Sequence, residues 1–349
     1  MRRRTLLLAA PALAVTPPAL ALPPIELQFP RDHGAHPAFR TEWWYITGHG
    51  RSGEREFGFQ VTFFRSRVDA TQDMRSRFAA RQLVFAHAAL TDVQGRKLWH
   101  DQRIAREGFE VALAAQGETR VRLRDWSLER KADVYHARLP AGEFTLDLQF
   151  APTQPVLLQG QQGLSRKGPQ PENASYYYSQ PQLAVRGSVA LRGRRFELAG
   201  KAWLDHEWSD EYLHPDAVGW DWIGMNLDDG SALTAFRLRR QDGTALWDGG
   251  SFRPPSSGPY IFSRGEVVFS PQRRWTSPLS QASYPVEWIV RTPADFYTVR
   301  AVLDDQELDS RASTGGIYWE GLSDLIDSNG KHVGRGYLEM TGYAQRLRM

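Results

Sequence analysis

The feature that most constrains this chain is a period of two. Nearly every stretch of 8–12 residues alternates apolar with polar, from "REFGFQVTFFRS" (residues 55–66) through "TRVRLRDWSLER" and "GEFTLDLQFAP" to "GRGYLEMTGY". A strand turns successive side chains to opposite faces, so this period is that of half-buried β-strands. Turn chemistry separates the runs: Val93-Gln94-Gly95, Asp228-Asp229-Gly230 and Gln241-Asp242-Gly243 are hairpin signals. Such a series in 349 residues reads as an all-β sandwich or barrel architecture. One weak helical pattern spans residues 70–81. Residues 152–181, rich in Gly, Pro and Gln, read as a long ordered loop or lid that Tyr176, Tyr177 and Tyr178 pack down. A second series of strands starts at Gly219, which sets two β units meeting near residues 210–218.

The amino terminus reads as a targeting signal. Arg2, Arg3 and Arg4 precede the apolar run Thr5 to Val15, and Ala19-Leu20-Ala21 has the small-residue pattern of a cleavage site. The arginines also fit the twin-arginine export pattern. We therefore expect residues 1–21 to be a leader and the mature protein to be periplasmic or secreted. The leader holds three Arg and no acid, so the formal charge of +3 falls to zero in the remainder. No basic stripe suggests a nucleic-acid partner. The chain has no cysteine, which excludes disulfides, zinc–thiolate sites and thiol nucleophiles.

Three short stretches concentrate the unusual chemistry. "TEWWYITGHG", "GKAWLDHEWSD" and "GWDWIGMNLDDG" hold six of the 12 Trp. Parity sorts them: Trp203, Asp205 and Glu207 share one face, and Leu204, His206 and Trp208 the other. Glu42 and Trp44 share a face, with Trp43 and Tyr45 opposite. Asp221 falls on the apolar side with Ile223 and Met225, where a desolvated carboxyl is held protonated. An acid lined by indoles suits cofactor-free protonation of an alkene, since Trp and Tyr faces stabilise a carbocation without attacking it. Simpler readings stand beside this one: Trp pairs filling a core, Asp205 or Glu207 paired with an arginine, His206 as a satisfied core histidine. Adjacent strand positions point apart, so Asp205, His206 and Glu207 do not share one metal ion without a bulge; no metal site is expected. No trusted nucleophile motif is present.

In order along the chain, "TEWWYITG", "ENASYYYSQP", "GKAWLDHEW", "GWDWIGMNLDDG" and "GYLEMTGY" resemble the motifs of the CrtC/AttH lipocalin-like family, which includes carotenoid 1,2-hydratases and proteins described as secreted hydrolases. The resemblance implies two tandem lipocalin-like antiparallel β-barrels packed together, with domains at 22–210 and 211–349. It implies an apolar isoprenoid or lipid ligand, hydration without a cofactor, and importance for Asp205, His206 and Trp208. The expected catalytic set is Asp205, His206, Glu207 and Asp221. The expected ligand-binding set is Glu42, Trp43, Trp44, Tyr45, Tyr178, Trp203, Trp208, Trp220 and Trp222. A non-catalytic lipid carrier with the same lining is the alternative, and peripheral contact with an envelope membrane is compatible with either.

Overall fold

The computed structural model describes residues 21–210 and 213–347. The expected leader lies almost wholly outside them. The fold is all-β: two lipocalin-like antiparallel β-barrels packed together. The first is a 13-stranded sheet, nearly closed, and the second a 10-stranded sheet, with a two-stranded ribbon beside it. The strands of the first sheet end at Ser209 and those of the second begin at Gly219.

The expected helix at residues 70–81 is a single 3-10 turn, Asp69–Thr71, followed by turns. Met74 and Phe78 are too few to bury a helical stripe, and both stay exposed. The expected loop at 152–181 is partly strand. Leu157–Leu158 and Leu164–Arg166 pair with the long strand Ala174–Leu191, so Tyr176, Tyr177 and Tyr178 are strand residues. "SYYYS" has the aromatic content of a strand, and the Gly- and Pro-rich text ends before it.

The long strand Arg194–Ser209 alternates in burial at its start and is buried on both faces from Ala202 on; it pairs with Thr41–Ser52 on one side and Ala174–Leu191 on the other. A two-residue turn, Arg192-Gly193 with φ of 50° and 80°, joins the two long strands. One face of this sheet fills the first barrel with Trp44, Trp126, Tyr135, Trp208 and some thirty other buried apolar residues. The opposite face, carrying Tyr45 and Trp203, packs on Trp222, Phe236, Leu322 and Tyr337 of the second barrel. The second barrel keeps its own core around Ile223, Trp288 and Trp319.

Hydrogen bonds fix the barrels against each other. Gln182 donates from its side chain to the carbonyls of Leu227 and Ser231, at 2.9 and 2.8 Å. Ser251 donates to Gln159 at 2.9 Å, and Thr91 to Gln306 at 3.0 Å.

Candidate functional site

A cavity of about 370 Å³ lies between the facing sheets of the two barrels. That is within the range of small-molecule sites. Its walls are mostly aromatic: Trp43, Tyr45, Phe64 and Tyr177 from the first barrel, Trp220, Trp222 and Phe236 from the second. Gly224 lets the indoles pack so closely, since a Cβ there would overlap the Trp222 ring and press on Trp203.

Four carboxyl groups open into this space: Asp205, Glu207, Glu320 and Glu339. Among the described lining residues Lys167 is the one ammonium, and it ion-pairs with Glu207 at 2.8 Å, where the Ser175 hydroxyl also donates. The other three acids have no cationic partner among the described residues.

Asp205 is the end of three donor chains. Trp203 Nε1 donates to it at 2.7 Å. Ser179 donates at 2.6 Å and itself accepts from Gln159. Tyr177 donates at 2.7 Å and accepts from Trp222 Nε1 at 3.3 Å. Burial pushes the carboxyl up to about 7, against these hydrogen bonds. Asp205 is thus a carboxyl that exchanges its proton near neutrality.

Glu320 and Glu339 face each other directly across the strands Gly316–Ile326 and His332–Met340. Burial raises both, and the charge of Glu339 pushes Glu320 further, well above the carboxylate range. Burial, Asp205 and Glu207 raise Glu339, opposed by a hydrogen bond from Trp220. Two such carboxyls do not both ionise at neutral pH, so the pair holds a proton. Gln60 Nε2 reaches across from the first barrel to Glu320 Oε2 at 2.8 Å. The Tyr45 hydroxyl faces Glu320, and a hydrogen bond between them works against the rise of that carboxyl; Gln60 Oε1 is buried with no hydrogen-bond partner among the described residues. Tyr45, Gln60 and Glu320 all line the cavity, so an oxygen-bearing group bound there lies among polar side chains. On the same wall His87 contacts Tyr318 and Ser313 at 2.8 Å each, and burial drops it to about 3, so it stays neutral.

The AttH-like family profile matches residues 20–343. The chain belongs to the AttH-like family. A crystal structure from Nitrosomonas europaea carrying the AttH label is 46% identical, covers 93% of this chain and 99% of its own, and superposes with a TM-score of 0.86. Kievitone hydratase from Nectria haematococca has the same fold, with a TM-score of 0.72 over 92% of this chain and 94% of its own at 12% identity. CghA, solved with Sch210972, superposes less well, with a TM-score of 0.53 over 88% and 89% of the two chains at 12% identity. Among curated protein sequences none matches significantly.

In this AttH-like protein the residues singled out from the sequence divide among three places. Asp205, Glu207, Trp43, Tyr45, Trp220 and Trp222 line the cavity, and Trp203 supports it through Asp205. Glu42, Trp44, Tyr178, His206 and Trp208 lie inside the first barrel. There Glu42 is the hub of a buried network: Arg65 Nε donates to it at 2.8 Å, His36 Nδ1 lies at 2.7 Å and His206 Nε2 at 3.0 Å. Burial opposes ionisation of Glu42, but the bonds to His206 and His36 overcome it and hold the carboxyl far below its usual range. His206 also meets the Tyr178 hydroxyl at 3.1 Å and stacks on Trp44; burial keeps it below its ordinary value. The potential ligand atoms of His36, Glu42 and His206 fall within 4.8 Å of one another, a spacing open to a metal ion. The Arg65 guanidinium already compensates the carboxylate, so an added cation gains little there.

Asp221 lies in neither place. It sits in the second barrel, bound by Arg237 at 2.7 Å, Arg239 at 3.3 Å and the Tyr343 hydroxyl at 2.8 Å. It is therefore not the isolated acid on an apolar face that parity suggests. Sequence reasoning passed over Glu320, Glu339, Tyr177, Gln60 and Lys167. The signal for the two glutamates was present: each is a lone acid inside an aromatic or aliphatic strand, "GGIYWEGL" and "GRGYLEM".

Proposed function

We propose that the cavity is a general-acid site that adds water across a carbon–carbon double bond of an apolar small molecule, or removes it again. The observation that carries this reading is the Glu320–Glu339 pair. It stores a proton in an aromatic cavity where neither glutamate has an ion-pair partner among the described residues. Glu320 gives that proton to the alkene: a C–H bond forms as the π bond opens. The resulting carbocation rests against the faces of Trp43, Trp220 and Trp222. A water oxygen then attacks the cation, and Asp205 accepts the released proton, its raised affinity matching neutral pH. Proton exchange within the acid cluster restores Glu320, so the cycle needs no redox partner. The hydratase among the fold relatives is compatible with this chemistry. Its 12% identity carries the fold and no residue. The apolar ligand class, the isoprenoid or lipid character and action outside the cytoplasm are part of the same proposal.

The test is oxygen exchange. The purified protein is incubated in ¹⁸O-labelled water with a panel of isoprenoid alkenes and tertiary alcohols, and products are read by mass spectrometry. Wild type incorporates ¹⁸O into a retained ligand. Glu320→Gln and Asp205→Asn bind the same ligand but incorporate roughly 10²–10⁴-fold more slowly. A ligand retained by wild type with no ¹⁸O uptake assigns the cavity to a carrier instead.

A further inference from the structure

The cavity reaches the surface beside an unusual patch. Ile104 lines the cavity and is 38% exposed. Arg106 follows on the same face of the strand Lys97–Arg106, opposite the lining residue Leu83. Its guanidinium lies 4.0 Å from the Phe109 ring and 5.5 Å from Phe78. Those two rings stack on each other at 5.5 Å, yet Phe78 is 64% and Phe109 45% exposed, with Met74 beside them at 48%. Arg77 lies over the same two rings, at 5.7 Å from each.

The charges here are held in an unusual way. Arg106 donates to the carbonyl of Phe78, and Arg81 to those of Met74 and Gln72. Among the described residues none of Arg75, Arg77, Arg81 and Arg106 forms an ion pair with a carboxylate. Nearby acids are otherwise engaged or at the edge: Asp69 binds Arg67, Glu107 accepts from the Ala114 amide, and Asp73 and Glu110 are exposed. Carbonyl bonds order the loop without cancelling its positive charge. Stacked aromatic rings between uncompensated guanidiniums match the interface of an anionic bilayer, where rings enter the acyl boundary and cations meet headgroup phosphates.

We propose that Met74, Phe78 and Phe109, with Arg75, Arg77, Arg81 and Arg106, dock this protein on an anionic lipid surface. Docking there presents the Ile104 mouth to the membrane, from which an apolar ligand enters the cavity. The docking itself stands on the patch; only its purpose rests on the reading of the cavity as a site for apolar molecules.

The experiment is vesicle flotation of the full chain, comparing wild type with Phe78→Ser/Phe109→Ser and with Arg77→Glu/Arg106→Glu. Vesicles are phosphatidylcholine alone or an equal mixture with phosphatidylglycerol. Wild type should float with the mixed vesicles, less so at high salt. The double Phe variant should bind roughly tenfold more weakly per ring removed, and the charge-reversed variant should lose its preference for the anionic lipid. All seven side chains are accessible, and unchanged circular dichroism confirms that the variants fold. Equal flotation of wild type and both variants overturns the proposal. So does a Phe78-dependent dimer in sedimentation without vesicle binding, which assigns the patch to a second copy. Oxygen exchange measured in detergent is independent of the patch, so failure of docking and failure of the hydration chemistry are separable.

Discussion

Replacing Glu339 by Gln is expected to stabilise the protein while impairing its chemistry. In the folded state this carboxyl rises from 4.5 to about 7, driven by burial and by Asp205 and Glu207. Its folded value exceeds its unfolded value. The associated stability is therefore complete below about pH 4.5, is lost progressively as pH rises to about 7, and is flat beyond. At about 1.4 kcal/mol per pH unit, the ionised, buried carboxylate costs up to about 3 kcal/mol above neutrality. Glutamine has the same shape, still accepts from Trp220 and never ionises. At about pH 4 the variant should match wild type; at about pH 8 it should be more stable by roughly 2–3 kcal/mol, on the order of 5 °C in Tm. Thermal unfolding followed by tryptophan fluorescence across this range measures the difference, and the 12 Trp supply the signal. The same substitution relieves Glu320 of a like charge, so Glu320 loses its proton at lower pH and the alkaline limb of the rate profile shifts toward acid. A stability gap that does not change with pH, or a variant less stable than wild type at about pH 8, would refute the claim that this carboxyl is held protonated by burial among like charges.

Glu42→Gln should act in the opposite direction. It leaves Arg65, a residue only 1% exposed, without its carboxylate, and should cost about 3–5 kcal/mol at neutral pH in urea unfolding. Because Glu42 is held below its unfolded value, the stability it contributes is present above about pH 4.3 and fades as pH falls, so the gap to wild type should shrink in acid. Asp221→Asn should weaken the second barrel by exposing Arg237 and Arg239 to the same penalty. It should leave turnover per folded molecule unchanged, since the side chain lies off the cavity; a selective loss of turnover at full stability would show that it participates.

The period-two text revealed most of this architecture because strand faces follow from counting. Trp43 and Tyr45 separate from Glu42 and Trp44, and Asp205 and Glu207 from His206 and Trp208, on the two sides of one sheet. Counting along one strand does not show which face meets another sheet, and this is why His206, on the face opposite Asp205 and Glu207, stood with them in the expected catalytic set. For Asp221 the missing step was available in the text. The Asp228-Asp229-Gly230 turn sets the hairpin register, and folding the chain about Asp229 puts Arg237 opposite Asp221. An acid on an apolar strand face needs its cross-strand partner read before it is taken as isolated. Glu320 and Glu339 face each other by the same logic, across the hairpin that ends the chain. There the cross-strand partner is a second acid, and the outcome is reversed: a stored proton in place of an ion pair.

This contrast explains where the site lies. The interior of the first barrel is filled by side chains such as Trp44, Trp126 and Trp208, and the Glu42 hub within it is neutralised by Arg65. A barrel filled in this way is a packed core. The cavity lies in the gap between the barrels, where each sheet presents the face that does not build its own core. Aromatic residues cover that face because it must still exclude water when the barrels dock. Asp205, Glu320 and Glu339 on that face lose their solvent without gaining a counter-ion among the described residues, which is the condition that raises a carboxyl toward neutrality. The Gln60–Glu320 bond, made between the two barrels, ties the orientation of the proton-bearing carboxyl to their docking. The acid–base properties of the site therefore belong to the pair of barrels, and neither barrel alone possesses them.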